Sequence, residues 1–378
     1  MGLQMRYLWS RPIISAIVCF LILYICFESI DKQTVLPHVR VTVSRPSSAD
    51  QQSLNSTDHF PSVPDVLEKS MVNVLAQLYK PKVIPITHQK YTDADGDEYV
   101  IEGEPHFTKP LGKDLLILDT DSRPFTEPNE ILSNGTYDWS DAHGLSNGML
   151  NHYMYSQIHG YDYLFIKTPK YEDRGPSWAK PVTIANLLPR YRFVVFVDSD
   201  AIFHRPEVPF EWLLNHWGAT DATALALATD PPEFDYNRDT RGRVVHNTGF
   251  VVAQNVPRAH ALLRDWVECP DELRHEDCAK WKNVWSFDQG AFAEYVRYAF
   301  DQPDDILDVP CGEANGYPES EGSCDGKFIR HFWIQKDKLK AGVADSMMQV
   351  LVDRLHEDLL MHRDAHLMES PSNRLGEW

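Results

Sequence analysis

The sequence predicts an α/β protein with a mainly parallel mixed sheet flanked by helices. Three observations carry this prediction. From Lys113 onward, short apolar runs of strand length alternate with longer segments whose apolar residues have helical spacing. The helical segments stop at Gly160 and Pro189, residue types that end helices. The run Phe193–Val197 is apolar at every position, as a buried strand is. A strand, helix, strand, helix, strand series requires crossover connections, and crossovers join parallel strands.

In chain order, residues 1–12 are expected as a short cytosolic tail bearing Arg6 and Arg11. Residues 13–27 have Ser15 as their one polar position, with basic residues before them and Glu28 and Asp31 after. This segment is shorter than the about 20 residues of a typical span, so a cleaved signal peptide competes with an uncleaved anchor. No small-x-small cleavage site follows Cys26, which favours a transmembrane signal anchor over 13–27 with its carboxyl side lumenal. Residues 28–64 are polar, rich in Ser, Gln, Asp and Pro, and read as a stem. Residues 65–378 form the folded lumenal domain.

Within that domain, Leu115–Leu118, Tyr163–Ile166, Phe193–Val197, Ala224–Ala228 and Phe250–Ala253 read as strands, and Phe328–Ile334 as a late one. Helices are predicted over Asn147–His159, Trp178–Leu188, Pro257–Trp266 and Asp288–Tyr298, with a closing amphipathic helix over Ala341–Leu360. A sheet of this kind places its ligands at the carboxyl ends of the strands.

The composition restricts the chemistry. With 43% hydrophobic residues, the 378-residue chain can bury a core, so wholesale disorder is excluded. A formal net charge of −19 argues against nucleic acid as a partner, and any anionic ligand must be met by local Lys/Arg or a metal ion. Cys19 and Cys26 lie in the apolar segment, leaving Cys269, Cys278, Cys311 and Cys324 in the domain. Their grouping makes Cys269 with Cys278 and Cys311 with Cys324 the simplest disulfides, with free thiols as the alternative. Neither pair has zinc-finger spacing. Asn55 and Asn134 begin glycosylation sequons, in keeping with a secretory location.

The strongest local feature is Phe193–Val197 followed by Asp198-Ser199-Asp200. Two carboxylates two residues apart at a strand exit can face the same way. They suit a hard divalent cation that bridges to a diphosphate, whereas in isolation such a pair is more often a turn or helix cap.

At these residues the sequence resembles a known family. His159-Gly160-Tyr161, Pro176-Ser177-Trp178-Ala179-Lys180-Pro181, Phe196 to Ile202 around Asp198 and Asp200, Asn247-Thr248-Gly249-Phe250, Asp288-Gln289-Gly290-Ala291 and His331-Phe332 follow one another in the order found in glycosyltransferase family 34. The likeness runs from about Asp114 to Lys336. It implies a GT-A fold and a single-pass type II Golgi membrane protein with a lumenal catalytic domain. It also implies a retaining transfer of a hexose or pentose from a nucleotide diphosphate sugar to a glycan.

By that resemblance, Asp198, Asp200 and His331 hold Mn²⁺ or another divalent cation. The donor is met by Lys180, Asn151, Lys336 and the Asp198-Ser199-Asp200 turn, and the acceptor by Asn247, Thr248 and Gly249. Asp288 and Gln289 stand beside the anomeric carbon. From the residues alone, Asn247-Thr248-Gly249 suggests a tight bend in which Gly249 lets a ligand approach the backbone, and Asp288 could be only a first-turn helix acid. His152, Phe287 and Trp333 depart from the family pattern. They leave open a catalytically inactive carbohydrate-binding protein of the same fold, and the metal pair leaves open a lumenal phosphohydrolase.

Overall fold

In a computed structural model the chain divides between Asp65 and Val66, and the second unit, Val66–Trp378, is compact. The structure describes residues 74, 77–320 and 322–367, all in the second unit. The expected cytosolic tail, signal anchor and stem, and the Asn55 sequon, lie outside the described residues. Among the described residues no helix is long and apolar enough to cross a membrane.

The elements begin with a small hairpin, β1 (Lys90–Thr92) and β2 (Glu98–Val100). Then come β3 (Leu115–Asp121), helix α1 (Gly144–His159), β4 (Asp162–Lys167), helix α2 (Ala179–Leu187), β5 (Phe193–Val197) and β6 (Ala201–Phe203). Helix α3 (Phe210–His216), β7 (Leu225–Thr229), β8 (His246–Gln254), helix α4 (Pro257–Glu268) and helix α5 (Asp288–Ala291) follow. The last described elements are β9 (Ile306–Val309), β10 (Ile329–His331), the long helix α6 (Leu339–Met361) and a helical turn at Arg363–His366.

The central sheet has six strands in the order β4-β3-β5-β8-β7-β9. Only β8 runs against the others, pairing antiparallel with β5 and β7, while β3/β4, β3/β5 and β7/β9 are parallel. The α/β class is therefore the predicted one. The strands are apolar at consecutive positions because both faces are covered. Leu115, Ile117, Phe193, Val195 and Val197 face a core with Tyr155, Phe210 and Trp212. Their neighbours Leu116, Leu118, Val194 and Phe196 face the opposite core, with Trp178, Ile184, Leu262 and Trp266. This alternation is the period of two that strand geometry imposes.

Helix α1 ends as the sequence predicts, with Gly160 as a left-handed cap at φ 75°. Several expectations need correction. The predicted strand over Phe328–Ile334 shrinks to Ile329–His331, because the chain turns away after Trp333 and Gln335 takes φ 56°. The predicted bend at Asn247-Thr248-Gly249 takes the form of an irregularity within β8: the pairing with β7 shifts register between Leu227↔Val251 and Thr229↔His246, and Gly249 is not in the left-handed region. The helix that begins at Asp288 continues past Ala291 as a single π-turn, Phe292–Val296. Helix α6 is amphipathic only as far as Val350, its last buried residue; Leu355, Leu359 and Met361 are exposed. Both expected cysteine pairs are disulfides, with Cα–Cα distances of 5.6 Å for Cys269–Cys278 and 4.9 Å for Cys311–Cys324.

Candidate active site

The carboxyl ends of β3, β5 and β7 and the amino end of the antiparallel β8 lie at one edge of the sheet. Strand β5 is fully buried up to Val197, and the chain then turns: Asp198 N donates to the Gly249 carbonyl at 2.7 Å and Ala201 N to the Asp198 carbonyl at 2.8 Å. This turn aims Asp198 and Asp200 the same way. Strand β6 pairs antiparallel with β10 in a register that sets His331 opposite Ala201. The late strand thereby delivers an imidazole to the two carboxylates. One ligand atom from each of Asp198, Asp200 and His331 lies within 4.8 Å of the other two. Two carboxylate oxygens and an imidazole nitrogen form a donor set suited to Mn²⁺ or a similar cation, and three protein ligands leave coordination positions for a diphosphate.

Local cations offset the acidity of the chain here. Lys180 Nζ lies 2.8 Å from Asp198 Oδ2, and the half-exposed Lys336 Nζ 2.6 Å from Asp200 Oδ2. Burial opposes the charge on Lys180, but Asp198 and Asp288 outweigh it and raise its pKa. For Asp200, burial alone would raise the carboxyl pKa; His331 and Lys336 reverse this and hold it well below the usual carboxylate range. A third cation, Arg123, forms an ion pair with Asp121 at the end of β3 and also feels the charges of Asp200 and Asp198.

A second cluster adjoins the first. The Asp288 side chain is buried and accepts a hydrogen bond from Thr248 Oγ1 at 3.0 Å. Burial raises its pKa, against the pull of Lys180, Ser177 and Thr248. Gln289 is half-buried; its Oε1 accepts from Thr248 N at 3.2 Å and its Nε2 donates to Asp230 Oδ2 at 3.0 Å. The other oxygen of Asp230 accepts from Asn247 Nδ2 at 2.9 Å and Asn315 Nδ2 at 3.0 Å. Burial lifts the Asp230 carboxyl above its ordinary value.

The structure thus brings together Lys180, Asp198, Ser199, Asp200, Asn247, Thr248, Asp288, Gln289, His331 and Lys336. Two sequence expectations fare differently. Asn151 does not face this cluster. It is fully buried, its amide nitrogen donating to the Phe203 carbonyl at 3.1 Å and its oxygen accepting from Phe203 N at 2.8 Å, so it clamps β6 onto α1. Gly249 does lie in a crowded place, but its neighbour is not a ligand: a Cβ there would sit 2.3 Å from His331 Cε1. Its lack of a side chain makes room for the imidazole.

The sequence reading missed Asp230, Asn315 and Arg123. For Asp230 the signal was present: Ala224–Ala228 is an apolar run that soon reaches a carboxylate, the same pattern that marked Asp198.

No protein-family model and no curated protein matches the sequence. Among solved structures, the chain is similar to a glycosyltransferase involved in glycosylation of the major capsid of PBCV-1, with 14% identity and a TM-score of 0.42 over 61% of this chain and 98% of that one. It is also similar to the apo bifunctional glycosyltransferase WbbM, with 13% identity, TM-score 0.37, and 68% and 55% of the two chains covered. A third similarity is to mouse xyloside xylosyltransferase 1 in its apo form, with 11% identity, TM-score 0.34, and 59% and 98% covered. Likenesses of this size carry no conclusion about substrate or reaction. What the fold and site define by themselves is an α/β protein with a candidate divalent-cation centre at the carboxyl edge of its sheet.

Proposed function

We propose that the protein is a divalent-cation-dependent glycosyltransferase that moves a sugar from a nucleotide diphosphate donor to a glycan acceptor. The observation that carries this reading is the convergence of Asp198, Asp200 and His331 at the carboxyl edge of the sheet, with Lys180 and Lys336 on the two carboxylates. The ordered motifs shared with glycosyltransferase family 34 support the finer reading: a GT-A enzyme that retains anomeric configuration, uses Mn²⁺ and transfers a hexose or pentose. The apolar segment 13–27 and the two disulfides support a type II Golgi membrane protein with a lumenal domain.

A bound cation supplies charge neutralisation for the departing diphosphate. The protein's own residues do the rest. Lys336, half-exposed on Asp200, can reach an oxygen of the diphosphate, while Lys180 fixes the orientation of Asp198. Gln289 and Asn247, held in place by Asp230, present amide groups next to the metal ligands and orient the donor sugar. Asp288 lies behind them. Its carboxylate acts through Thr248 and Lys180, and its negative charge stabilises positive charge developing at the anomeric carbon.

A second reading, a carbohydrate-binding protein that has lost turnover, is favoured by the burial of Asp288 and the departure at Phe287. One experiment separates these readings and the phosphohydrolase. The full-length chain is incubated with Mn²⁺ and each common nucleotide sugar, with and without a mixed glycan acceptor pool. A transferase releases nucleotide diphosphate and gains rate from acceptor. A binding protein releases nothing, and a phosphohydrolase liberates inorganic phosphate, without acceptor, from a nucleoside diphosphate supplied in place of the sugar donor. Asp200→Ala serves as the control that removes the cation site.

A further inference from the structure

Trp285 stands three residues before Asp288 and is 84% exposed, with the exposed Val284 beside it. Exposure of an indole would be unremarkable on a loose loop, but this loop is held at both ends. Gly175 N donates to the Lys282 carbonyl at 2.7 Å, Trp178 Nε1 to the Trp281 carbonyl at 3.1 Å, and Asn283 Nδ2 to the Asp173 carbonyl at 3.0 Å. On the other side, Phe287 N donates to the Val284 carbonyl at 2.7 Å, and Gln289 N to the Ser286 carbonyl at 3.2 Å. Phe287 fills the space above Gly175, where a Cβ would lie 2.6 Å from Phe287 Cδ1, and its φ of 55° is one that side-chain-bearing residues rarely adopt. Both features fix the direction in which the segment leaves Asp288. The fold therefore presents an apolar ring to solvent, edge-on to Phe287 at 6.0 Å, on a backbone segment that is held in place three residues before Asp288.

We propose that Trp285 is the stacking platform of the acceptor subsite, taking a neutral pyranose through its C–H face. This inference rests on the glycosyltransferase reading. The donor's diphosphate is matched by the charged groups at the sheet edge, so a neutral aromatic surface three residues from Asp288 suits the partner that carries no phosphate. An indole offers a large, rigid contact area at little entropic cost and attracts the weakly positive C–H groups of a sugar face. The chain's net charge of −19 disfavours an anionic glycan. Lys282, the nearest cation on the loop, is engaged by Asp173 and Asp271, each at 3.3 Å.

The test is saturation-transfer NMR on the full-length chain with lactose, cellobiose and mannobiose as probes, alongside nucleotide-sugar binding by calorimetry. Transfer from aromatic protons to the ring protons of at least one disaccharide is expected. It should be lost in Trp285→Ala, largely kept in Trp285→Phe, and accompanied by an unchanged nucleotide-sugar affinity in both. Once a transferable acceptor is found, Trp285→Ala should raise its KM about 10-fold, the usual scale for loss of an aromatic anchor. Equal transfer in wild type and Trp285→Ala, or none in wild type with any of the three probes, would overturn the proposal. So would a change of oligomeric state in Trp285→Ala with sugar contacts intact, since the indole would then be a protein contact. Failure of the wild type to bind any nucleotide sugar would instead count against the transferase reading.

Discussion

His152 has a hydrogen-bond acceptor at each ring nitrogen. Nδ1 lies 3.0 Å from Asp119 Oδ1, and Nε2 lies 2.9 Å from the Ala201 carbonyl, so the ring donates twice only when it is protonated. Burial opposes that charge, but Asp119 and the carbonyl outweigh it and raise the pKa above 6.5. The resulting stabilisation is complete below pH 6.5 and is lost as pH rises through the raised folded-state value. Chemical denaturation between pH 6 and 9 should therefore show stability falling on the alkaline side, with the slope reduced in His152→Gln, which cannot donate at both ends. An unchanged slope would show that the ring is neutral in the fold. Asp288 permits a sharper functional test. Asp288→Asn preserves size and can still hydrogen-bond Thr248, but it removes the negative partner of Lys180. Charge stabilisation of a transition state is commonly worth about 3 kcal/mol, so kcat should fall roughly 100-fold while donor KM changes little. Turnover near the wild-type rate would leave the role to Gln289.

At the scale of elements, the Asp198 turn is held by its contact with α1. Gly148 lies against Ser199, and a Cβ there would come within 2.1 Å of the Ser199 carbonyl oxygen, a backbone atom that cannot swing aside. Alanine is favoured over glycine inside a helix by about 1 kcal/mol. The clash should exceed that gain, so Gly148→Ala is expected to lower the melting temperature and weaken Mn²⁺ binding together, as calorimetry on the variant would register. A more stable variant with unchanged affinity would mean that the turn and α1 move independently. The two disulfides should also differ in effect. Loops closed over 9 and 13 positions each contribute on the order of 3 kcal/mol in the chain-entropy model. The Cys311–Cys324 loop also holds Gly316, whose carbonyl accepts His331 N at 2.9 Å. Replacing Cys311 and Cys324 by Ser should therefore cost stability and Mn²⁺ affinity, whereas replacing Cys269 and Cys278 should cost stability alone.

At the scale of the whole molecule, both large cores, the sheet and every residue of the site lie within the unit Val66–Trp378. A chain beginning at Val66 is expected to unfold in one cooperative transition and to bind Mn²⁺ as the full-length chain does. Loss of either property would show that earlier residues are needed for the fold or the site. The acidity of the molecule is compatible with an anionic donor because Lys180, Lys336 and Arg123 gather at the one edge where Asp198 and Asp200 also lie. Ion pairing there is local, and the net charge elsewhere does not cancel it at short range.

The sequence by itself determined the class of fold, the position of the main buried strands and the carboxylate pair, and made the observed cysteine pairing the simplest of its alternatives. These are local properties: an apolar run of strand length and a pair two residues apart are complete within a few positions. It did not reveal β6 or β9, which are three and four residues long, too short for a period to show. It also left Asn247-Thr248-Gly249 outside any strand, because polar residues and an irregular pairing with β7 conceal the start of β8, whose Phe250 meets Val197 some fifty positions away. The tertiary structure decided that Asn151 clamps β6, that Gly249 accommodates His331, and that Asp230 joins Asn247, Asn315 and Gln289. Each depends on strand order and register, and those follow from how two faces of one sheet are covered at once, a condition that no single segment carries.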